Sequence, residues 1–199
     1  MFNSRLRSAT RVASRWPSRR KTAFLVALLS LCMTPVLWAQ RDVRAPLIKP
    51  SARTEAPAFE LTDDSGLRVK LSHYRGKVIL LNFWATDCGG CVLEIPSLVD
   101  VQRDLGKNDF TVVGVDMDMP YGGVKSASEA WKRVWPFMAS HGMNYPVLMG
   151  SSTTENLYKI NAYPASFVID KAGRIAAKYV GIVDSADVEA NVRTLLYNK

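Results

Sequence analysis

Between Lys77 and Cys91 the chain has little choice of architecture. Lys77–Trp84 (KVILLNFW) is a near-continuous apolar run bounded by Gly76, and Cys88-Gly89-Gly90-Cys91 follows after three residues. An apolar run without alternation is what a strand buried on both faces needs, so a sheet covered on both sides is implied. The cysteine pair then opens a helix. A cysteine in the first helical turn has its thiolate stabilised by free backbone N–H groups and by the helix dipole. A second cysteine three residues later lies one turn on, close enough to close a disulfide. The first sulfur can then attack a partner's disulfide and the second can resolve the mixed species.

The flanking sequence alternates short strands with helices. Phe59-Glu60-Leu61 and Leu67–Leu71 alternate with period two around Asp63-Asp64-Ser65-Gly66, which predicts a hairpin. The helix from Cys88 should carry Leu98, Val101 and Leu105 on its inner stripe, with Pro96 bending it. Phe110–Val115 is a second buried strand. Residues 127–141 place Trp131, Val134, Trp135 and Met138 at helical spacing, a stripe that belongs to a core, and Pro136 should divide that helix in two. Tyr145–Leu148, Ser166–Ile169 and Ile175–Val180 read as strands, the last two joined by a turn at 170–173. Val188, Val192, Leu195 and Leu196 mark a closing amphipathic helix. The expected class is therefore α/β: a central mixed sheet flanked by helices, with an N-terminal β-hairpin extension. One domain, 58–199, suffices.

The net charge of +8 over 199 residues would point to an anionic partner if it were spread over the fold. It is concentrated in residues 1–39, where Arg5, Arg7, Arg11, Arg15, Arg19, Arg20 and Lys21 stand without an acid; the remainder has 19 basic and 18 acidic residues. Nucleic-acid binding by a basic face is thereby excluded. Those 39 residues end in an uncharged apolar run, 22–39, which fits a signal peptide or an N-terminal membrane anchor. Leu37 occupies the −3 position where cleavage after Ala39 wants a small residue, so both fates stay open. Either one leaves the N-terminus inside and the rest across the membrane, in the periplasm or on the outer face of the inner membrane. Ser18-Arg19-Arg20 is a poor twin-arginine match because Lys21-Thr22-Ala23 intervenes, and bulky Leu31 argues against lipidation of Cys32. An Arg- and Ser-rich start without acids also suits a mitochondrial presequence. Residues 40–57, with Pro46, Pro50 and Pro57 and no apolar periodicity, read as a linker.

Other readings of the cysteine pair are weaker. A structural zinc site wants four ligands, and no second pair exists beyond Cys88 and Cys91. His73 and His141 are isolated. A disulfide closing so short a loop adds little stability. A copper-binding or copper-site assembly module is the competing reading, since Met117 and Met119 add thioethers to thiolates that suit Cu(I).

The segment NFWATDCGGCVLEIPSL resembles the active-site stretch of thioredoxin-fold proteins, and of the TlpA/ResA-like thiol–disulfide oxidoreductases in particular. APAFELTDDSGLRVKLSHYRGKVILLNFWAT is similar to that family's N-terminal hairpin and following strand, and INAYPASFVIDKAGRI to its proline loop and next hairpin. The likeness runs from about Ala56 to the C-terminus. It implies that Cys88 is the exposed attacking thiol and Cys91 the buried resolving one, the two forming a redox-active disulfide. It further implies that Pro164 is a cis-proline beside that disulfide and that Tyr163 offers its backbone to a partner. Glu94 matches the family's carboxylate one turn past the second cysteine, a candidate acceptor for the Cys91 proton. Asn82 stands where thioredoxins proper place a buried aspartate, which makes Glu94 the better candidate. Asp87 replaces the family's usual Trp, and Gly89-Gly90 lacks its usual proline. The Thr-x-x-Cys spacing of thioredoxin-fold peroxidases is absent around Thr86 and Cys88. The implied activity is protein-disulfide reduction, for example of apocytochrome c cysteines. The implied partners are protein disulfides, with a membrane thiol transporter as electron donor. Electrons pass between sulfurs, so no cofactor is expected.

Overall fold

The computed structural model describes residues 42–107 and 109–197. The leader read at 1–39 lies outside the described residues. Among these residues, no helix is long and apolar enough to cross a membrane.

One seven-stranded sheet organises the chain, in the order β2-β1-β5-β4-β3-β6-β7. The strands are β1 (Glu60–Asp63), β2 (Arg68–Lys70), β3 (Val78–Trp84), β4 (Phe110–Asp116), β5 (Val147–Met149), β6 (Ala165–Ile169) and β7 (Ile175–Val180). The helices are α1 (Gly89–Leu105), α2 (Asp118–Tyr121), α3 (Ala127–Ser140), α4 (Ser152–Tyr158) and α5 (Ser185–Tyr197). β3, β4 and β5 run parallel, while β6 lies antiparallel to β3 and β7 antiparallel to β6.

Every residue of β3 and of β4 is buried, as the apolar runs require. Alternation along β3 divides the core. Val78, Leu80 and Trp84 meet Ile95, Leu98, Val101 and Leu105 of α1, Trp131 and Val134 of α3, and Val188 and Val192 of α5. Ile79, Leu81 and Phe83 pack on the other face with Val113, Val115, Phe167 and Tyr158 of α4. Burying a Leu or Ile side chain contributes about 1.5–3 kcal/mol, so these two layers fix which face each strand residue takes.

Four features depart from these expectations or go beyond them. Pro136 does not divide 127–141: α3 is one helix through it. Pro136 lies on the exposed side, where a missing N–H is cheap, and packing of Trp131, Val134 and Phe137 on the core holds both halves in line. Trp135 is 49% exposed rather than core, stacked on Trp131 with ring centroids 6.0 Å apart. The α4 helix has seven residues and no long apolar stripe, so no hydrophobic period marks it in the sequence. Its signal is its N-cap, Ser151, whose hydroxyl accepts from Thr154 N–H, with Glu155 in the first turn.

The fourth concerns the linker reading of 40–57. Residues 43–57 are laid along β7 and the loop after it. Val43 N–H donates to Ile182 O (2.6 Å), Ile48 N–H to Ala176 O (2.8 Å), and Ile175 N–H to Thr54 O (2.8 Å). Arg53 pairs with Asp170 in a nearly buried ion pair. Because this strap is held through its backbone, it needs no apolar period, and it covers a sheet edge that would otherwise present unpaired groups.

Candidate redox site

The site lies at the carboxyl ends of the parallel strands, where β3 and β4 finish at Trp84 and Asp116. Cys88 and Cys91 are joined by a disulfide. Cys88 is the N-cap of α1, and its Sγ accepts from Cys91 N–H at 3.2 Å. No acid occupies the first turn of α1, so the N-terminal dipole acts on the sulfur unopposed from within the helix. Cys91 is fully buried and Cys88 retains 4% of its surface, so the expected exposed thiol is nearly covered, among apolar groups that include Trp84 and Trp131. Its residual surface still makes it the accessible member of the pair.

Pro164 sits against the motif. The Tyr163–Pro164 peptide bond is cis. A Cβ built on Gly90 would lie 3.2 Å from Pro164 Cδ and 3.8 Å from Ile182, which accounts for the small residue there. Tyr163 is half-buried; its hydroxyl donates to Glu155 at 2.6 Å and its ring meets Tyr121 edge-on.

Glu94, one turn past Cys91, is 1% exposed. Its Oε1 accepts from Val183 N–H at 2.9 Å and its Oε2 from the Asn82 amide at 2.7 Å, and that amide also donates to Ser166 at 2.9 Å. Burial pushes its pKa up to about 7 against the pull of those two hydrogen bonds, and the charge of Asp42 adds to the rise. A carboxyl poised there can take up and return a proton near neutral pH.

Sequence reasoning missed three groups. Arg133 of α3 reaches Asp87, Nη1 to Oδ2 3.5 Å, so positive charge does stand beside the residue preceding Cys88; only tertiary structure brings 87 and 133 together. Asp118 holds the loop before the cysteines, accepting from Thr86 N–H and Thr86 Oγ1, both at 2.7 Å. Asp116 is buried beside it. Burial, then the neighbouring Asp118, raise its pKa to about 8. Met117, one of the two thioethers of the copper reading, packs on the face of the sheet opposite the cysteines. Among the described residues, no group of three or more His, Cys, Asp or Glu side chains is placed to hold a metal ion.

A disulfide capping the helix that follows the central strand, with a cis-proline against it, defines a thioredoxin-fold thiol–disulfide oxidoreductase. Residues 52–178 match the AhpC/TSA family, and the chain belongs to that family. The thioredoxin-like protein YneN of Bacillus subtilis is 30% identical over 135 residues, 68% of this chain and 75% of its own. The thiol-disulfide oxidoreductase ResA of Geobacillus kaustophilus is 28% identical over 141 residues, 70% of this chain and 75% of its own. Among solved structures, a thiol:disulfide interchange protein of the thioredoxin family from Chlorobium tepidum is 30% identical, with a TM-score of 0.61 over 72% of this chain and 97% of that one.

Proposed function

We propose that this enzyme reduces disulfides of exported proteins, with Cys88 attacking, Cys91 resolving and Glu94 moving the Cys91 proton. The observation that carries the reading is the Cys88–Cys91 disulfide capping α1 one turn ahead of a buried carboxyl with a pKa of about 7. In the reduced pair the Cys88 thiolate attacks a substrate disulfide and forms a mixed disulfide, releasing one substrate sulfur as a thiolate that takes a proton from water. Cys91 gives its proton to Glu94 and attacks Cys88 Sγ. The second substrate sulfur leaves with that proton, two electrons have passed to the substrate, and the pair is left oxidised. A dithiol donor must then reduce it, and a membrane thiol transporter fits an extracytoplasmic site. Tyr163, beside Pro164, offers its backbone to the substrate chain. The basic and apolar leader at 1–39 supports export, as a cleaved signal or an anchor, with the domain beginning near residue 58 and the strap ahead of it. Apocytochrome c cysteines are the substrate class that the resemblance to the TlpA/ResA-like proteins favours.

Cys91→Ser is expected to accumulate intermolecular disulfides in cells, and Cys88→Ser is not. Equal trapping by both, or by neither, overturns the assignment of attacker and resolver. The direction of flow rests on Asp87, whose negative charge opposes the Cys88 thiolate and so disfavours the reduced form. Arg133 offsets part of that charge, and its exposed geometry limits the offset. The expected potential is nearer to about −270 mV than to about −120 mV, and a value above about −180 mV would point to an oxidase or isomerase instead.

A further inference from the structure

The N-terminal strap meets the site at one place. Val43 N–H donates to Ile182 O at 2.6 Å, and Asp184 N–H donates back to Val43 O at 2.9 Å, so Val43 brackets Val183 in a short parallel bridge. Val183 lies between those two bonds, and its own N–H donates to Glu94 Oε1. The residues on either side reinforce the grip. Arg44 Nε pairs with Asp184 at 2.6 Å, Ala45 N–H donates to Asp187 at 3.0 Å, and Asn191 donates to Ala45 O at 2.8 Å. The Val43 side chain fills the space over Gly181, where a built Cβ would come within 3.1 Å of it. Without the strap, the loop 181–184 would be an exposed connection, free to carry the Val183 N–H away from Glu94 and to admit water.

We propose that residues 42–45 are a positioning strap for the redox site, Val43 fixing the Ile182–Asp184 loop so that Val183 N–H is aimed at Glu94 and water is kept from the carboxyl. Val43 is thus a positioning residue, acting through Val183. The groups acting on Glu94 come from several elements: Asn82 from β3, whose amide Ser166 of β6 also engages, Val183 from the loop, Tyr145 from the segment before β5 and Asp42 from the strap. Because the strap grips the loop through the backbone of Val43, it can be loosened there without removing a core side chain. The functional weight of the proposal rests on Glu94 serving as proton acceptor, but the strap's hold on Glu94 can be read separately.

The test uses the full chain with three variants. Val43→Pro deletes the N–H that bonds Ile182. Ile48→Pro deletes an equivalent strap bond, to Ala176, away from the loop. Glu94→Gln identifies the Glu94 signal by its loss. The readouts are the carboxyl carbon titration of Glu94 by NMR and the alkylation rate of the reduced thiols against pH. Since burial is the largest cause of the raised Glu94 midpoint, Val43→Pro is expected to lower it by about one pH unit, and Ile48→Pro to leave it in place. An unmoved midpoint in Val43→Pro, or an equal shift in Ile48→Pro, overturns the proposal. A shifted Glu94 without change in the alkylation profile would instead sink the proton-acceptor role and leave the strap's hold on Glu94 standing.

Discussion

A glutamate three residues past a cysteine on a helix is ordinarily a solvated side chain. Glu94 is not, because α1 turns that position onto the sheet, where Asn82 interrupts the apolar alternation of β3 to supply a partner. Asn82 gives the site a neutral donor where an aspartate would add a second charge, and it favours the ionised form of Glu94. Asn82→Leu is therefore expected to raise the Glu94 midpoint above 7 and to cost about 1–3 kcal/mol for the buried carboxyl's lost bond. Glu94→Gln should slow exchange and remove a step near pH 7 from the thiol titration while the fold survives. An unchanged titration would return Glu94 to a structural role. The spacing of Cys88, Cys91 and Glu94 was readable in one dimension. Ser166, which accepts from the Asn82 amide, and Val183, which donates to the carboxyl, lie 84 and 89 positions from those partners and left no mark on the local sequence.

At the scale of elements, α1 begins with two glycines that are not equivalent. A Cβ on Gly89 meets nothing within 4 Å, whereas one on Gly90 meets Pro164 at 3.2 Å. Gly89→Ala is expected to stabilise the oxidised protein by about 0.5–1 kcal/mol through lower unfolded-chain entropy and better helix propensity. Gly90→Ala should gain less or lose, since the proline must give way. Urea unfolding of the two variants checks the contrast; equal gains would mean that Pro164 does not rest on the motif. The helices show how far periodicity reaches. α1 and α5 carry long apolar stripes and were legible; α4 has seven residues and announces itself by its cap alone. The strap, bound largely through backbone groups, offers only the short run Val43, Ala45 and Leu47 against the core, too brief to read as an element.

For the molecule as a whole, two buried acids set the pH dependence of stability. Glu94 and Asp116 have folded-state pKa values of about 7 and about 8, raised above their unfolded values near 4. Between those limits the folded protein holds protons that the unfolded chain has released. Stability is thus full at the acid end of the window and falls as pH rises through it. Glu94 alone accounts for on the order of 3 kcal/mol of that fall. The urea midpoint of the oxidised protein should decline from pH 5 to pH 8, with a shallower decline in Glu94→Gln. A midpoint that rises across this range would show that neither acid is held protonated by burial.

The sequence by itself determined the sheet's central strands, the hairpin, the helix that opens at the cysteines and the redox chemistry of the pair, because each of these follows from a period or a spacing within one segment. Only the tertiary structure decided what surrounds the sulfurs. Pro164 against Gly90, Arg133 beside Asp87, Asp118 on Thr86 and Val183 on Glu94 are contacts between distant segments. The same holds for the degree of burial that raises a carboxyl's pKa. Burial belongs to the packed layers on either side of the sheet, and no residue carries it in its own neighbourhood of the chain.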